Sequence, residues 1–224
     1  MGMTKAKPAK PEQTAPRRRQ PVQLRAEETR ARILQKARDA FAELGFEGAS
    51  IRDIAGEAGV THSMITYHFG TKDELWREAV RDMFALIEQQ VTAEDIYEAD
   101  LEPVERFRRQ MRRYTRYCAQ HPEHARITIA ETIRGGPRLQ WMIDTFVKHN
   151  HAGFTPQLAA LMEAGVLPQV QPESLHYAIV GMAQLPFVLA HEAKGAFGYD
   201  FTDEQAINRH ADAILAILLR PNEG

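Results

Sequence analysis

The chain is nearly devoid of cysteine. Cys118 is the one cysteine among 224 residues, so no intrachain disulfide can form and a reducing, cytoplasmic setting is expected. A lone cysteine of this kind reads as a small buried hydrophobe. Long apolar runs are missing too, and none approaches the roughly 18 residues of a membrane span. The N-terminus carries lysines and arginines with no apolar stretch behind them, so no secretory signal is read. Strand-like alternation never extends beyond a few residues. Catalytic signatures are equally scarce, with no phosphate-cradling glycine loop, no Gly-x-Ser-x-Gly and no His-Glu-x-x-His. His149 and His151 are two apart and point different ways on a helix, while His121 and His124 flank an expected turn at Pro122. The expectation is therefore no enzyme, no metal, no cofactor and no membrane partner.

Net charge is also small, at −2, and its distribution says more than its sum. Residues 1–76 carry +3 and residues 77–224 carry −5. A basic front and an acidic back fit a DNA-facing unit attached to a body that need not touch DNA. Apolar content of 44% is ample for a buried core.

What the chain does have is helical periodicity with sharp punctuation, so the expected fold class is all-α. Residues 50–72 read as two short helices joined by a tight turn. Ser50 is a candidate N-cap. Ile51, Ile54, Ala55 and Ala58 form one apolar face. Gly59 stops the first helix, because glycine takes the left-handed conformation without a Cβ clash. Thr61 can cap the second helix, and Ile65 and Phe69 hold it onto the first. This leaves His62, Ser63, Met64, Thr66 and Tyr67 pointing away. A helix with polar and aromatic side chains outward, fixed by a partner helix and a glycine turn, has the geometry that reads a major groove. An ordinary helical hairpin shares the pattern, and the flanking sequence must decide.

Around this motif the chain divides in order. Residues 1–22 are rich in Lys, Pro and Arg and read as a disordered basic arm. A helix from Leu24 to Leu44 presents Ile33, Leu34, Ala37, Phe41 and Leu44 as one stripe and ends at Gly45. Thr71 caps a fourth helix that runs to about Val91, and residues 92–102 form an acidic linker. Behind it, helices are expected at about 103–120, 123–133, 138–164 (bent at Pro156), 172–196 (kinked at Pro186) and 202–219, the last capped by Thr202. The arginines of 103–120 read as a solvated face. The last two long helices are apolar over wide faces, through Leu175, Ile179, Met182, Leu185, Val188 and Leu189, then Ile207, Ala211, Ile214, Leu215, Ile217 and Leu218. Such a pair can meet its own copy as a four-helix bundle, so a homodimer through the last two helices is expected. Tyr114, Tyr117, Trp141, Phe146, His149, Phe154, His176, Met182, Phe187 and His191 are candidates to line a cavity between the central helices.

Residues 24–75 carry a specific pattern: Ile-Arg-Asp-Ile-Ala-Gly-Glu-Ala-Gly-Val-Thr, then Ile-Thr-Tyr-His-Phe-Gly-Thr-Lys-Asp-Glu-Leu. It resembles the tetracycline-repressor family of bacterial one-component regulators over about 50 residues. The commoner family sequence has Gly where Ser63 stands and Tyr where Thr66 stands. The resemblance implies base-facing positions at His62, Ser63, Met64 and Thr66, and phosphate-contacting positions at Ser50, Tyr67, His68 and Lys72. It implies a helix-turn-helix domain over 23–85, with its motif at about 50–69, and a helical regulatory, ligand-binding and dimerisation domain over 86–220. The function it implies is a homodimeric repressor, released from a palindromic double-stranded DNA operator by a small-molecule effector. The alternative is a helical ligand-binding or adaptor protein whose front unit no longer reads DNA.

Overall fold

The structure is a computed structural model and describes residues 19–92, 98 and 100–219. Every regular element among them is helical. The basic arm, as far as residue 18, lies outside the described residues, as do 93–97 and 99 of the acidic linker.

The first helix, α1, spans Arg19–Gly48. It begins five residues before the expected Leu24. Pro21 is accommodated because the first-turn amides have no intrahelical partner to lose. Its backbone leaves helical geometry at Gly45 (φ 67°), where the sequence places the stop. Ile33, Leu34, Ala37 and Phe41 are buried as the stripe requires, but Leu44 is exposed. Helices α2 (Ile51–Glu57), α3 (His62–Phe69) and α4 (Lys72–Ile87) follow. They enclose a core of Ile54, Ala55, Ile65, Phe69, Leu75, Trp76 and Val80 against α1. A π-helical turn, Glu88–Thr92, extends α4.

The body begins with α5 (Pro103–Gln120) and α6 (Pro122–Arg134), each opening on a proline, which the first helical position tolerates. The expected single helix over 138–164 is three pieces: α7 (Pro137–Met142), a π-helical turn (Ile143–Val147) and α8 (Lys148–Glu163), with Pro156 inside the last. The expected 172–196 helix is two, α9 (Pro172–Val188) and α10 (Ala190–Phe197), parted at Leu189 (φ −97°, ψ 18°) just after Pro186. The last, α11, spans Glu204–Leu218. Its cap is Asp203, whose carboxylate accepts from the Ala206 amide at 3.0 Å. Thr202, the expected cap, instead bonds Asp200 through both amide and hydroxyl.

Two apolar clusters result. The front one draws in Ile127 and Met142 from the body, and the rear one joins α5, α8, α9 and α11 around Phe107, Leu158, Ile179 and Leu215. The α5 arginines are not merely solvated. Arg113 and Arg109 meet the buried Glu98, Arg112 meets Asp212, and Arg116 meets Glu204. Cys118 is buried and its thiol is pushed up to about 12 by desolvation, the state expected of a packing residue. No helix among the described residues is long and apolar enough to cross a membrane.

Candidate DNA-reading head and effector cavity

The turn between α2 and α3 is built from backbone. Gly59 takes φ 65°. Its amide reaches the Gly56 carbonyl at 3.1 Å, and the Val60 amide reaches Ala55 at 3.0 Å. These bonds close the last turn of α2 and reverse the chain. Arg32 of α1, a contributor the sequence reading missed, donates from Nε to the Ala58 carbonyl at 2.8 Å and ties the turn to the floor. Thr61 caps α3, accepting from the Met64 amide at 3.2 Å.

With Ile65 and Phe69 buried, α3 is fixed in rotation. His62, Ser63, Met64, Thr66, Tyr67 and His68 all face solvent, Tyr67 at 85% exposure. These are the six candidate residues on α3, presented together. Ser63 lies 3.0 Å from the Thr61 hydroxyl, and Thr66 donates to the His62 carbonyl at 3.1 Å. The remaining two candidates sit at the helix ends nearby. Ser50 precedes α2, but its hydroxyl makes no cap bond; its carbonyl accepts from Ile54 at 3.0 Å. Lys72 opens α4 with its ammonium 3.2 Å from the Glu47 carbonyl and 4.8 Å above the Phe46 ring. The lysine charge is thus held beside the α1–α2 loop. Behind it, Thr71 and Glu74 form a reciprocal capping box that fixes the α3–α4 junction.

The head is locked to the body at two places. At the first, the Arg138 guanidinium of α7 stacks on Phe46 (3.9 Å) and pairs with the buried Glu131 (3.2 Å). Trp76 and Trp141 meet beside it at 5.6 Å. At the second, Arg38 of α1 is buried, bonds Asp82 of α4 and Gln35, and lies 3.5 Å from Glu123 of α6. Burial raises the Glu123 carboxyl, but the hydrogen bond from His121 and the nearby Arg38 charge hold it below its ordinary value. The Tyr117 hydroxyl donates to the Met83 carbonyl of α4 at 3.1 Å and stands 2.7 Å from Nδ1 of His124.

Between α4 and α5–α9 lies a cavity of about 520 Å³. Four of the ten candidates line it: Tyr114, His149, Phe154 and His176. Tyr117, Trp141, Phe146, Met182, Phe187 and His191 do not. Tyr117 is turned to Met83 and His124. Trp141 packs on Trp76, Phe146 stacks on Phe84 at 4.4 Å, and Phe187 meets Phe201 and His210. Met182 lines a second hollow between α9, α10 and α11, with Leu185, Leu189, Phe197 and Ile217. The sequence reading missed Phe84, Gln110, His124, His151, Tyr177 and Gln184 of the main cavity. The π-helical turn at Ile143–Val147 shifts the register of α8, so constant 3.6-residue spacing misplaces its inward face. A lone glutamine among the apolar positions of α9 is the signal that could have found Gln184.

Burial holds His124 down to about 4, and burial with the neighbouring His151 does the same for His176. The His151 and His176 rings are 4.1 Å apart, with Tyr177 and Phe154 against them. Among the described residues no group of three or more His, Cys, Asp or Glu could hold a metal ion.

Known proteins with this arrangement regulate transcription. Residues 33–79 match the family described as bacterial regulatory proteins, tetR family, and residues 103–217 match the tetracyclin repressor-like C-terminal domain. The HTH-type transcriptional regulator RutR of Escherichia coli (strain K12) is 22% identical over 187 residues, 84% of this chain and 87% of RutR. The HTH-type transcriptional repressor Rv3405c of Mycobacterium tuberculosis is 55% identical over 49 residues, 22% of this chain and 26% of that one. Among solved structures, AibR in complex with isovaleryl coenzyme A and operator DNA shares the fold at TM-score 0.69 and 20% identity, over 86% of this chain and 99% of AibR. The two family matches together cover the helix-turn-helix unit and most of the body: the chain belongs to the tetracycline-repressor family and is a DNA-binding transcriptional regulator.

Proposed function

We propose that the protein is a homodimeric repressor that binds a palindromic operator through α3 and is released by a small molecule held in the body. The observation that carries this reading is the outward face of α3. Six side chains, five of them polar or aromatic and the sixth Met64, are exposed on a helix whose rotation is fixed by Ile65, Phe69, Gly59 and Thr61. His62, Ser63, Met64 and Thr66 would meet base edges, with the Met64 side chain suited to a thymine methyl. Ser50, Tyr67, His68 and Lys72 would meet phosphates, which set register and orientation. In this reading residues 1–22 are an accessory basic arm, 23–85 the reading head and 86–220 the regulatory body.

Dimerisation through α9 and α11 is supported by the apolar residues left outside the protomer core. Leu185, Leu189, Ile217 and Phe197 are exposed together around the second hollow, while Leu175, Ile179, Ile214 and Leu218 are consumed within the protomer. Two heads paired this way would address successive major grooves about 34 Å apart. An effector shifts the equilibrium only through different affinity for the DNA-competent and incompetent conformers.

The test is retardation of DNA fragments from upstream of the protein's own gene. Parent protein retards a specific fragment at low salt. Tyr67→Ala and Lys72→Ala each weaken it about ten-fold or more, while sedimentation shows the dimer intact. Parent-like DNA binding by both variants overturns the docking, and a protomer that sediments singly overturns the pairing.

A further inference from the structure

Resting on the reading of the cavity as the effector site, we propose that the effector is an uncharged, largely apolar molecule with a hydroxyl or carbonyl group that hydrogen-bonds His176. The lining is apolar along Phe84, Ile87, Val91, Met142, Val147 and Ile179. Its polar groups are glutamines, threonines, tyrosines, an asparagine and histidines. No lysine or arginine is among the described lining residues, and Glu88 is their single carboxylate.

This composition discriminates by charge. An anion entering here leaves water without meeting a fixed positive partner, and burying an ion that way costs several kcal/mol. A cation finds Glu88, but Glu88 is solvent-exposed, where an ion pair contributes little. A neutral apolar body avoids both costs and gains from displacing water from the apolar wall.

His176 supplies the specific contact. It is 93% buried by its 7% exposure, and its Nδ1 has no hydrogen-bond partner. A buried polar atom left unmade is unfavourable, so a ligand that satisfies it gains more than a neutral hydrogen bond in water. His151 against one face and Phe154 against the ring edge fix the imidazole in place. A hydroxyl satisfies Nδ1 as donor or as acceptor, and a carbonyl satisfies it in the tautomer that carries the proton. The Tyr114 hydroxyl, also in the lining, accepts from Gln184 at 3.0 Å.

The test uses three probes of equal chain length: 1-octanol, octanoate and octylammonium. Each is titrated calorimetrically into the full-length protein at neutral pH. Octanol binds, and the two ions bind at least about ten-fold more weakly. His176→Phe keeps the ring and removes the nitrogens; octanol affinity falls about five-fold or more and the ions are unaffected. Octanoate or octylammonium binding as tightly as octanol overturns the proposal. So does unchanged octanol affinity in His176→Phe, or no binding of octanol at about 1 mM, the weak end of specific affinity. Val180→Trp, with Thr128→Trp as a second filling variant, tests the cavity itself: octanol that binds both as it binds the parent shows that the cavity reading has failed. Operator retardation by the unliganded protein is scored separately.

Discussion

Nε2 of His210 donates to the main-chain carbonyl of Met182 at 2.9 Å. Met182 lies four residues before Pro186, so its carbonyl is the one that the proline, lacking an N–H, cannot serve within α9. A side chain of α11 replaces the missing helical bond, and the His210 ring also meets Phe187 and Phe201 edge-on. His210→Ala removes the bond and the ring contacts and is expected to cost about 1–3 kcal/mol. Urea unfolding at fixed protein concentration measures this. His210→Ala combined with Pro186→Ala restores part of the loss, since the alanine amide can serve Met182 again.

The two glycines flanking α3 differ in what surrounds them. Gly59 and Gly70 both have positive φ, 65° and 73°. A Cβ at Gly59 meets nothing within 4 Å, whereas one at Gly70 falls 2.3 Å from Oε2 of Glu74. Gly59→Ala is expected to cost about 1 kcal/mol, from conformation alone. Gly70→Ala also displaces the carboxylate that caps α4 and is expected to cost roughly 2–3 kcal/mol. Thermal unfolding of the pair gives the order; equal losses refute the capping argument.

Arg138 joins body to head by charge and by stacking. Removing it strands Glu131, whose side chain is 4% exposed. Arg138→Leu is therefore expected to destabilise by about 3 kcal/mol. Adding Glu131→Leu recovers most of this, because two apolar groups replace a broken buried pair. The double-mutant cycle is read by denaturant midpoint.

Stability falls with acid through two histidines. His124 and His176 are held at about 4 when folded, against an ordinary value of 6.5. Between these values the unfolded chain binds the protons, so stability is full above about pH 6.5 and declines until about pH 4. At pH 5 each histidine contributes a loss of about 2 kcal/mol. His124→Gln is expected to flatten its share of the profile between pH 7 and pH 5. A decline confined below pH 4 would point to carboxylates instead.

The head was legible in the sequence because its constraints are local. Gly59, Thr61, Ile65 and Phe69 act within a dozen residues, and each sits where spacing placed it. The cavity was legible only in outline. Tyr114, His149 and His176 were found by residue type, but Trp141 and Phe146 were drawn toward the head by Trp76 and Phe84. Those pairings connect residues about 65 positions apart, and no periodicity reports them. The expected Thr202 cap was lost to a local competitor, since Asp200 two residues earlier takes its amide and hydroxyl and Asp203 caps α11 instead.

Both π-helical turns, Glu88–Thr92 and Ile143–Val147, contribute side chains to the cavity. Each holds one residue more than a regular turn, and each added residue rotates the downstream face by about 100°. Loss of a single codon there re-phases one wall of the chamber while the outward surface of α3 keeps its identity. Under the proposed function, a one-residue slip there changes what the body holds and leaves the reading head as it was.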